Sequence, residues 1–63
     1  MINTRPKVED QKYYKLEEAA RGLGITYAKI LRLIHSAKLP VILESGEMLV
    51  LGFDIVRYWE QHH

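Results

Sequence analysis

The chain has 63 residues, no cysteine and a formal net charge of +1 at pH 7. A chain of this length forms one domain with a single small core, and without cysteine it has neither a disulfide nor a thiolate zinc site to reinforce that core. The hydrophobic share of 48% is ordinary for a folded domain and excludes a chain that is disordered throughout.

Membrane and secretion signals are missing from the sequence. No apolar run approaches the roughly 18 residues of a membrane span. The first residues also lack the basic-then-apolar order of a signal peptide. We therefore expect a cytoplasmic protein with no membrane contact.

Positive charge is concentrated in the middle of the chain. Between Lys12 and Pro40 there are six basic residues and two acidic ones, a net charge of +4, whereas the residues after Pro40 carry four acids and one base, a net charge of −3. A basic region beside an acidic one is typical of small nucleic-acid-binding proteins. A chance distribution of solvated charge is the alternative explanation.

Residues 1–12 are polar, contain Pro6 and show no periodicity, which predicts a flexible N-terminal arm before a domain at 13–63. Arg5 and Lys7 in this arm have two readings. They reach into a DNA minor groove, as the arms of some DNA-binding domains do, or they belong to a disordered tail. The tail is the more ordinary of the two.

The first helix is predicted from the spacing of its apolar residues. Leu16, Ala19, Ala20 and Leu23 follow the i, i+3, i+4, i+7 pattern that places them on one face of a helix. The expected left-handed residue that ends this helix is Gly24.

A second helix is predicted from Tyr27 to Ala37, with Thr26 as its N-cap. Its apolar residues share one side of the helical wheel. This side carries Ile30, Leu33, Ile34 and Ala37, and the opposite side carries Ala28, Lys29, Arg32, His35 and Ser36. Two helices joined by a tight turn that contains Gly indicate a helix-turn-helix, whose second helix usually enters the DNA major groove.

The polar side of the second helix carries two cations and no acid. Arg32 lies at its centre, and a guanidinium group binds guanine or phosphate with two hydrogen bonds. Lys29 and Ser36 flank Arg32, and Tyr27 lies at the end that approaches DNA. The ordinary alternative is a solvated helix face.

The remaining segments predict a two-stranded wing and a last helix. Residues 41–43 and 48–51 are rich in β-forming side chains, and Gly46 lies in the turn between them. Asp54 is expected to cap a short helix in which Ile55, Tyr58 and Trp59 face the core, with Trp59 over Phe53. The predicted fold is α+β, mostly α: a small winged helix-turn-helix.

Together these segments resemble the excisionase-type helix-turn-helix family, which comprises small winged-helix proteins related to the MerR DNA-binding domain. The resemblance covers residues 14–60. It rests on four pieces of sequence: Leu16-Glu17-Glu18-Ala19-Ala20, Leu23-Gly24-Ile25-Thr26, Leu33-Ile34 with Ser36, and Leu39-Pro40.

The resemblance implies DNA binding without catalysis, by phage or mobile-element proteins that bend DNA and direct an integrase towards excision, that is, recombination directionality factors. Relatives are phage transcription regulators or DNA-binding domains of terminase small subunits. The family's DNA-facing positions fall here on Tyr27, Ala28, Lys29, Arg32 and His35, to which the charge pattern and the helical wheel add Ser36 and Lys38. The implied partners are double-stranded DNA and, in addition, an integrase or recombinase, or a second copy of the chain on DNA.

The wing departs from the family pattern. Basic residues are typical of its outward face, but the matching positions here are Leu43, Leu49 and Leu51, with Glu44 and Glu47 at the tip. Acids near phosphates repel them, so the leucines indicate a protein contact, or they are covered by the arm or by the last helix. The alternative function is therefore a protein-interaction module or phage regulator of the same fold that acts through the apolar wing.

A second departure is Lys15, which stands where the family often has a Ser or Thr cap. Catalytic and metal-binding patterns are also lacking. His35 has no ligand partner at a metal-binding spacing, and Ser36 beside it points about 100° away around the helix, so the two cannot act as a nucleophile and base. We expect no enzyme activity, metal, cofactor or small-molecule substrate.

Overall fold

The structure is a computed structural model that describes residues 4–62. It contains three helices and a three-stranded antiparallel sheet, and it confirms the α+β, winged-helix-like fold. In chain order the elements are β1 (Tyr13–Lys15), α1 (Leu16–Leu23), α2 (Tyr27–His35), β2 (Ile42–Glu44), β3 (Glu47–Leu51) and α3 (Gly52–His62). Within the described range, no helix has the length and apolar character needed to cross a membrane.

The sheet contains one strand more than the predicted wing. Its strand order is β1-β3-β2, so the hairpin of β2 and β3 gains a third strand from the segment before α1. Tyr13 lies opposite Leu51, and Lys15 lies opposite Leu49. Three residues are too few to show the alternation of a strand, which is why the sequence did not reveal β1.

Both helices of the helix-turn-helix begin where the sequence predicts. All four apolar residues of the α1 pattern are buried, and α1 ends at Gly24 as expected. The second helix ends at His35, two residues before the predicted end, because Ala37 takes a positive φ of 59° that a helix does not accommodate. Ala37 is consequently exposed and does not belong to the core face.

The core joins all three helices to the sheet. Five side chains at its centre are almost completely buried and come from five different parts of the chain. They are Leu23, Ile30, Leu39, Val50 and Ile55. Each such burial contributes about 1.5–3 kcal/mol, so these contacts fix the position of α2 relative to the rest of the domain.

The start of α3 differs from the prediction. This helix begins at Gly52, so Asp54 lies in its first turn and not at the N-cap. Its first amides, those of Gly52 and Phe53, donate hydrogen bonds to the carbonyl oxygens of Lys12 (2.8 Å) and Asp10 (3.0 Å). Backbone carbonyls thus satisfy two of the four free amides of a helix start.

Phe53 does not join the core, in contrast to the prediction that Trp59 closes the core over it. Phe53 is 49% exposed, whereas Trp59 is half-buried against the core. Because α3 begins at Gly52, three residues before the start that an Asp54 cap predicts, Phe53 lies in its first turn with an exposed side chain.

The described part of the predicted N-terminal arm packs on the domain. Pro6 is buried, and Val8 is half-buried against the core. Arg5 forms an exposed ion pair with Asp10 (4.0 Å). The expectation of a flexible arm also concerns residues 1–3, which lie outside the described residues.

The Gly52→Ala variant tests this packing. A Cβ at Gly52 would overlap the Glu9 carbonyl group and lie 3.2 Å from Cε2 of Tyr14. Because the obstacle is backbone, we expect a loss of about 1–3 kcal/mol in the free energy of unfolding, measured by urea denaturation.

Gly22→Ala is the matched control, since the nearest atom to its new Cβ is Cβ of Pro6 at 3.7 Å, an ordinary contact. Alanine favours the helix here by about 0.5–1 kcal/mol, so this variant should be more stable than the parent. Equal stability of Gly52→Ala and the parent would show that residues 9–14 do not pack against the start of α3.

Candidate nucleic-acid interface

The second helix is held at its start by the predicted cap. The Thr26 hydroxyl accepts a hydrogen bond from the Lys29 amide (3.1 Å). In the turn before it, the Ile25 amide donates to the Ala20 carbonyl (3.0 Å), which ties α2 to the end of α1. The side chains of Ala19 and Ala20 are small and buried, so α2 packs close to α1.

The burial of one side of α2 determines which residues face outward. Ile30 and Leu33 are buried and Ile34 is half-buried, as the helical wheel predicts. The exposed side chains of α2 form a surface that we call the α2 face. Ala28, Arg32 and His35 lie opposite the buried side chains, and Tyr27 and Lys29 lie at the two edges of this surface. The α2 face comprises Tyr27, Ala28, Lys29, Arg32 and His35.

Two residues predicted to join this surface lie just beyond the helix. The Ser36 hydroxyl hydrogen-bonds to the carbonyl oxygens of Arg32 (2.8 Å) and Leu33 (3.3 Å). Since this hydroxyl has one hydrogen to donate, Ser36 closes the end of the helix and is not a free donor to phosphate. Lys38 is exposed, and its amide donates to the Leu33 carbonyl (2.8 Å).

The positive charge of the α2 face is not balanced by acidic side chains. The first turn of α2 has no acidic residue. Two salt bridges occur among residues 4–62, Arg5 with Asp10 and Lys15 with Glu47, and neither involves Lys29 or Arg32. The ammonium and guanidinium groups of this surface are therefore free to meet an anionic ligand.

The wing tip has the opposite charge. The turn at Ser45 and Gly46 has positive φ values of 52° and 77°, as a two-residue hairpin turn of type I′ requires. This turn places Glu44 directly opposite Glu47, and only Glu47 is offset by a cation, at 3.6 Å from Lys15. Phosphate contact at the tip is disfavoured by these carboxylates.

The strand register corrects the predicted leucine surface. Paired residues of a sheet share a face, and Leu49 pairs with Ile42 whereas Leu43 pairs with Met48. Leu43 therefore lies on the opposite face of the sheet from Leu49 and Leu51. The two-residue turn sets this register, and a shift of one residue would reverse it.

An apolar surface does exist on the outward side of the sheet. We call it the outer sheet face, and it comprises Tyr13, Ile42, Leu49 and Leu51. Leu49 and Leu51, on the central strand β3, are half-buried, while Tyr13 and Ile42 are 44% and 38% exposed. Sequence reasoning missed Tyr13 and Ile42 because their place depends on β1 and on the register.

Metal-binding clusters are not found in the described part of the chain, where no three His, Cys, Asp or Glu side chains are grouped to hold an ion. Comparison of the chain with protein-family models, with curated proteins and with solved structures gave no match.

The Thr26→Ala variant tests the element that positions the α2 face. Loss of the hydrogen bond to the Lys29 amide should lower the free energy of unfolding by about 1 kcal/mol in thermal or urea denaturation. Thr26→Ser retains the hydroxyl and should stay within a few tenths of a kcal/mol of the parent. If both variants lose the same stability, the cap does not hold the helix.

Proposed function

We propose that the protein binds double-stranded DNA sequence-specifically, with α2 in the major groove, as an architectural or regulatory protein of the excisionase type. The observation that carries this proposal is the α2 face, which presents Lys29 and Arg32 without an acidic neighbour or an intramolecular ion pair. It is presented by the second helix of a helix-turn-helix, the element that reads DNA in proteins of this architecture.

The dimensions of α2 suit a major groove. A helix with its side chains is about 10–12 Å across, which fits the roughly 12 Å width of the groove. In the proposed complex Arg32, near the middle of the exposed side, binds O6 and N7 of a guanine with its two-pronged guanidinium. Lys29, one turn earlier, and Lys38, beyond the helix end, contact the phosphates on either side.

The charge distribution favours binding through α2 over binding through the wing tip. Lysine and arginine contacts to phosphate supply most of the affinity of a small DNA-binding protein, since they release counterions from the duplex. The segment from α2 to Lys38 carries Lys29, Arg32 and Lys38 and no acid, whereas the carboxylates of Glu44 and Glu47 occupy the wing tip. The wing therefore has a role other than binding the DNA backbone.

A second candidate function is protein interaction through the outer sheet face. The observation that favours it is the row of apolar side chains that remains accessible there, with Tyr13 at 44% and Ile42 at 38% exposure. An excisionase-type role implies one of two kinds of partner for this surface. The partner is an integrase or recombinase, or it is a second copy of the chain bound beside the first on DNA. A protein that binds DNA through the α2 face and a protein partner through the outer sheet face can act in excision, repression or packaging.

Arg32→Ala tests base reading by the α2 face. We expect the affinity for a selected duplex to fall by about 1–3 kcal/mol, because a two-pronged base contact is lost. Lys29→Ala should instead weaken selected and random duplexes alike and reduce the slope of log K against log[salt] by about 1. Fluorescence anisotropy with both duplexes over a salt series measures these quantities.

Two matched controls accompany this test. Arg32→Lys keeps the charge but loses the planar fork, so it should lose specificity while random-sequence binding stays near the parental value. Arg57→Ala removes one positive charge from α3, at a pocket that Arg57 shares with Lys38, and should leave the preference for the selected duplex intact because no base contact is lost. Parental discrimination between the two duplexes in Arg32→Ala would refute base reading by this residue.

A further inference from the structure

A groove of about 420 Å³ separates the wing from the first turn of α2. Two of the most exposed apolar side chains of the described residues line it, Leu43 at 72% and Tyr27 at 50% exposure. The Met48 side chain, half-buried, lies between the wing and the core. Of the sheet residues that line the groove, Leu43 and Met48 lie on the opposite face from Leu49 and Leu51, whereas Lys15 and Glu47 share the face of Leu49.

The exposure of Leu43 is unusual for its position in the sheet. It shares a sheet face with Val50, which is fully buried, and with Met48, which is half-buried. Leu43 nevertheless remains largely accessible, since β2 is an edge strand whose three residues are all exposed. Its side chain is therefore presented beside the N-terminal turn of α2, towards any ligand that approaches this end of the helix.

The charges around the groove exclude a phosphate as its occupant. The charged residues that line it are Lys15, Glu17 and Glu47. Lys15 is paired with Glu47 at 3.6 Å, which leaves the carboxylate of Glu17 uncompensated. A neutral, apolar group fits such a surface, whereas the phosphate backbone would be repelled.

The groove meets one edge of the α2 face at Tyr27, which lines the groove and lies in the first turn of α2. The N-terminal residues of a recognition helix are those that contact base edges. Among the base edges of the major groove, thymine alone presents an apolar group, its C5-methyl. A leucine side chain beside this end of the helix is therefore suited to pack against the methyl group of a thymine.

We propose that Leu43, with Tyr27, packs against the C5-methyl group of a thymine and so makes the protein select thymine at the base pair facing the start of α2. This inference rests on the proposed DNA binding and adds a specificity-determining residue on the wing. It also gives Leu43 a role separate from that of Leu49 and Leu51.

Replacing thymine with uracil tests the inference, because deoxyuridine lacks only the methyl group and keeps the same hydrogen-bonding edge. The best-bound duplex is first selected from a random pool, and each thymine in it is then replaced singly by uracil. We expect one replacement to weaken binding about fourfold, the effect of burying one methyl-sized group, as measured by anisotropy.

The protein variants show which side chain senses the methyl group. In Leu43→Ala the thymine and uracil duplexes should bind equally, and in the control Leu49→Ala, on the outer sheet face, the fourfold difference should persist. The inference is overturned if uracil is tolerated at every position, or if Leu43→Ala retains the difference. Failure of every unmodified duplex to bind would instead overturn the proposed function, before any uracil is introduced.

Discussion

The burial of Ile30 and Leu33 in the common core is the constraint on which the rest of this structure depends. These two side chains set the rotation of α2 about its own axis, and a helix rotated by 100° would bury Arg32 or expose Leu33. Small residues at Ala19 and Ala20 let α2 approach α1 closely, and the Thr26 cap fixes where the helix begins. The direction in which Lys29 and Arg32 point is therefore a consequence of apolar packing.

The sheet divides the wing into two surfaces with different chemistry. A two-residue turn sets the register of β2 and β3, and pairing with β1 completes the sheet. One surface carries Leu49 and Leu51 under partial cover, and the other carries Leu43 towards the groove beside Tyr27. The acidic wing tip lies between these two surfaces. The domain, whose Cα radius of gyration is 10.5 Å, therefore carries a basic helix face and an acidic wing tip at separate places.

Local patterns in the sequence were sufficient for the helices and for the hairpin, because both depend on spacing within ten residues or so. Leu16 to Leu23 and Thr26 to His35 adopted the helices that periodicity and capping predict. Contacts between distant segments were beyond such reasoning: β1 pairs with a strand about 35 residues later, and the start of α3 is capped by carbonyls of Asp10 and Lys12. The sequence predicted Leu43 on the wrong face of the sheet for the same reason. The register depends on the pairing of two strands, so it cannot be inferred from either strand alone.

The central claim is that the α2 face binds duplex DNA, and an NMR titration of the isotopically labelled protein with a mixed-sequence duplex tests it most directly. We predict chemical-shift changes at the amides of residues 26–36 that saturate with DNA and weaken as salt is raised, while the amides of Leu49 and Leu51 stay unchanged. The absence of any shift, or shifts confined to the outer sheet face, would contradict the claim.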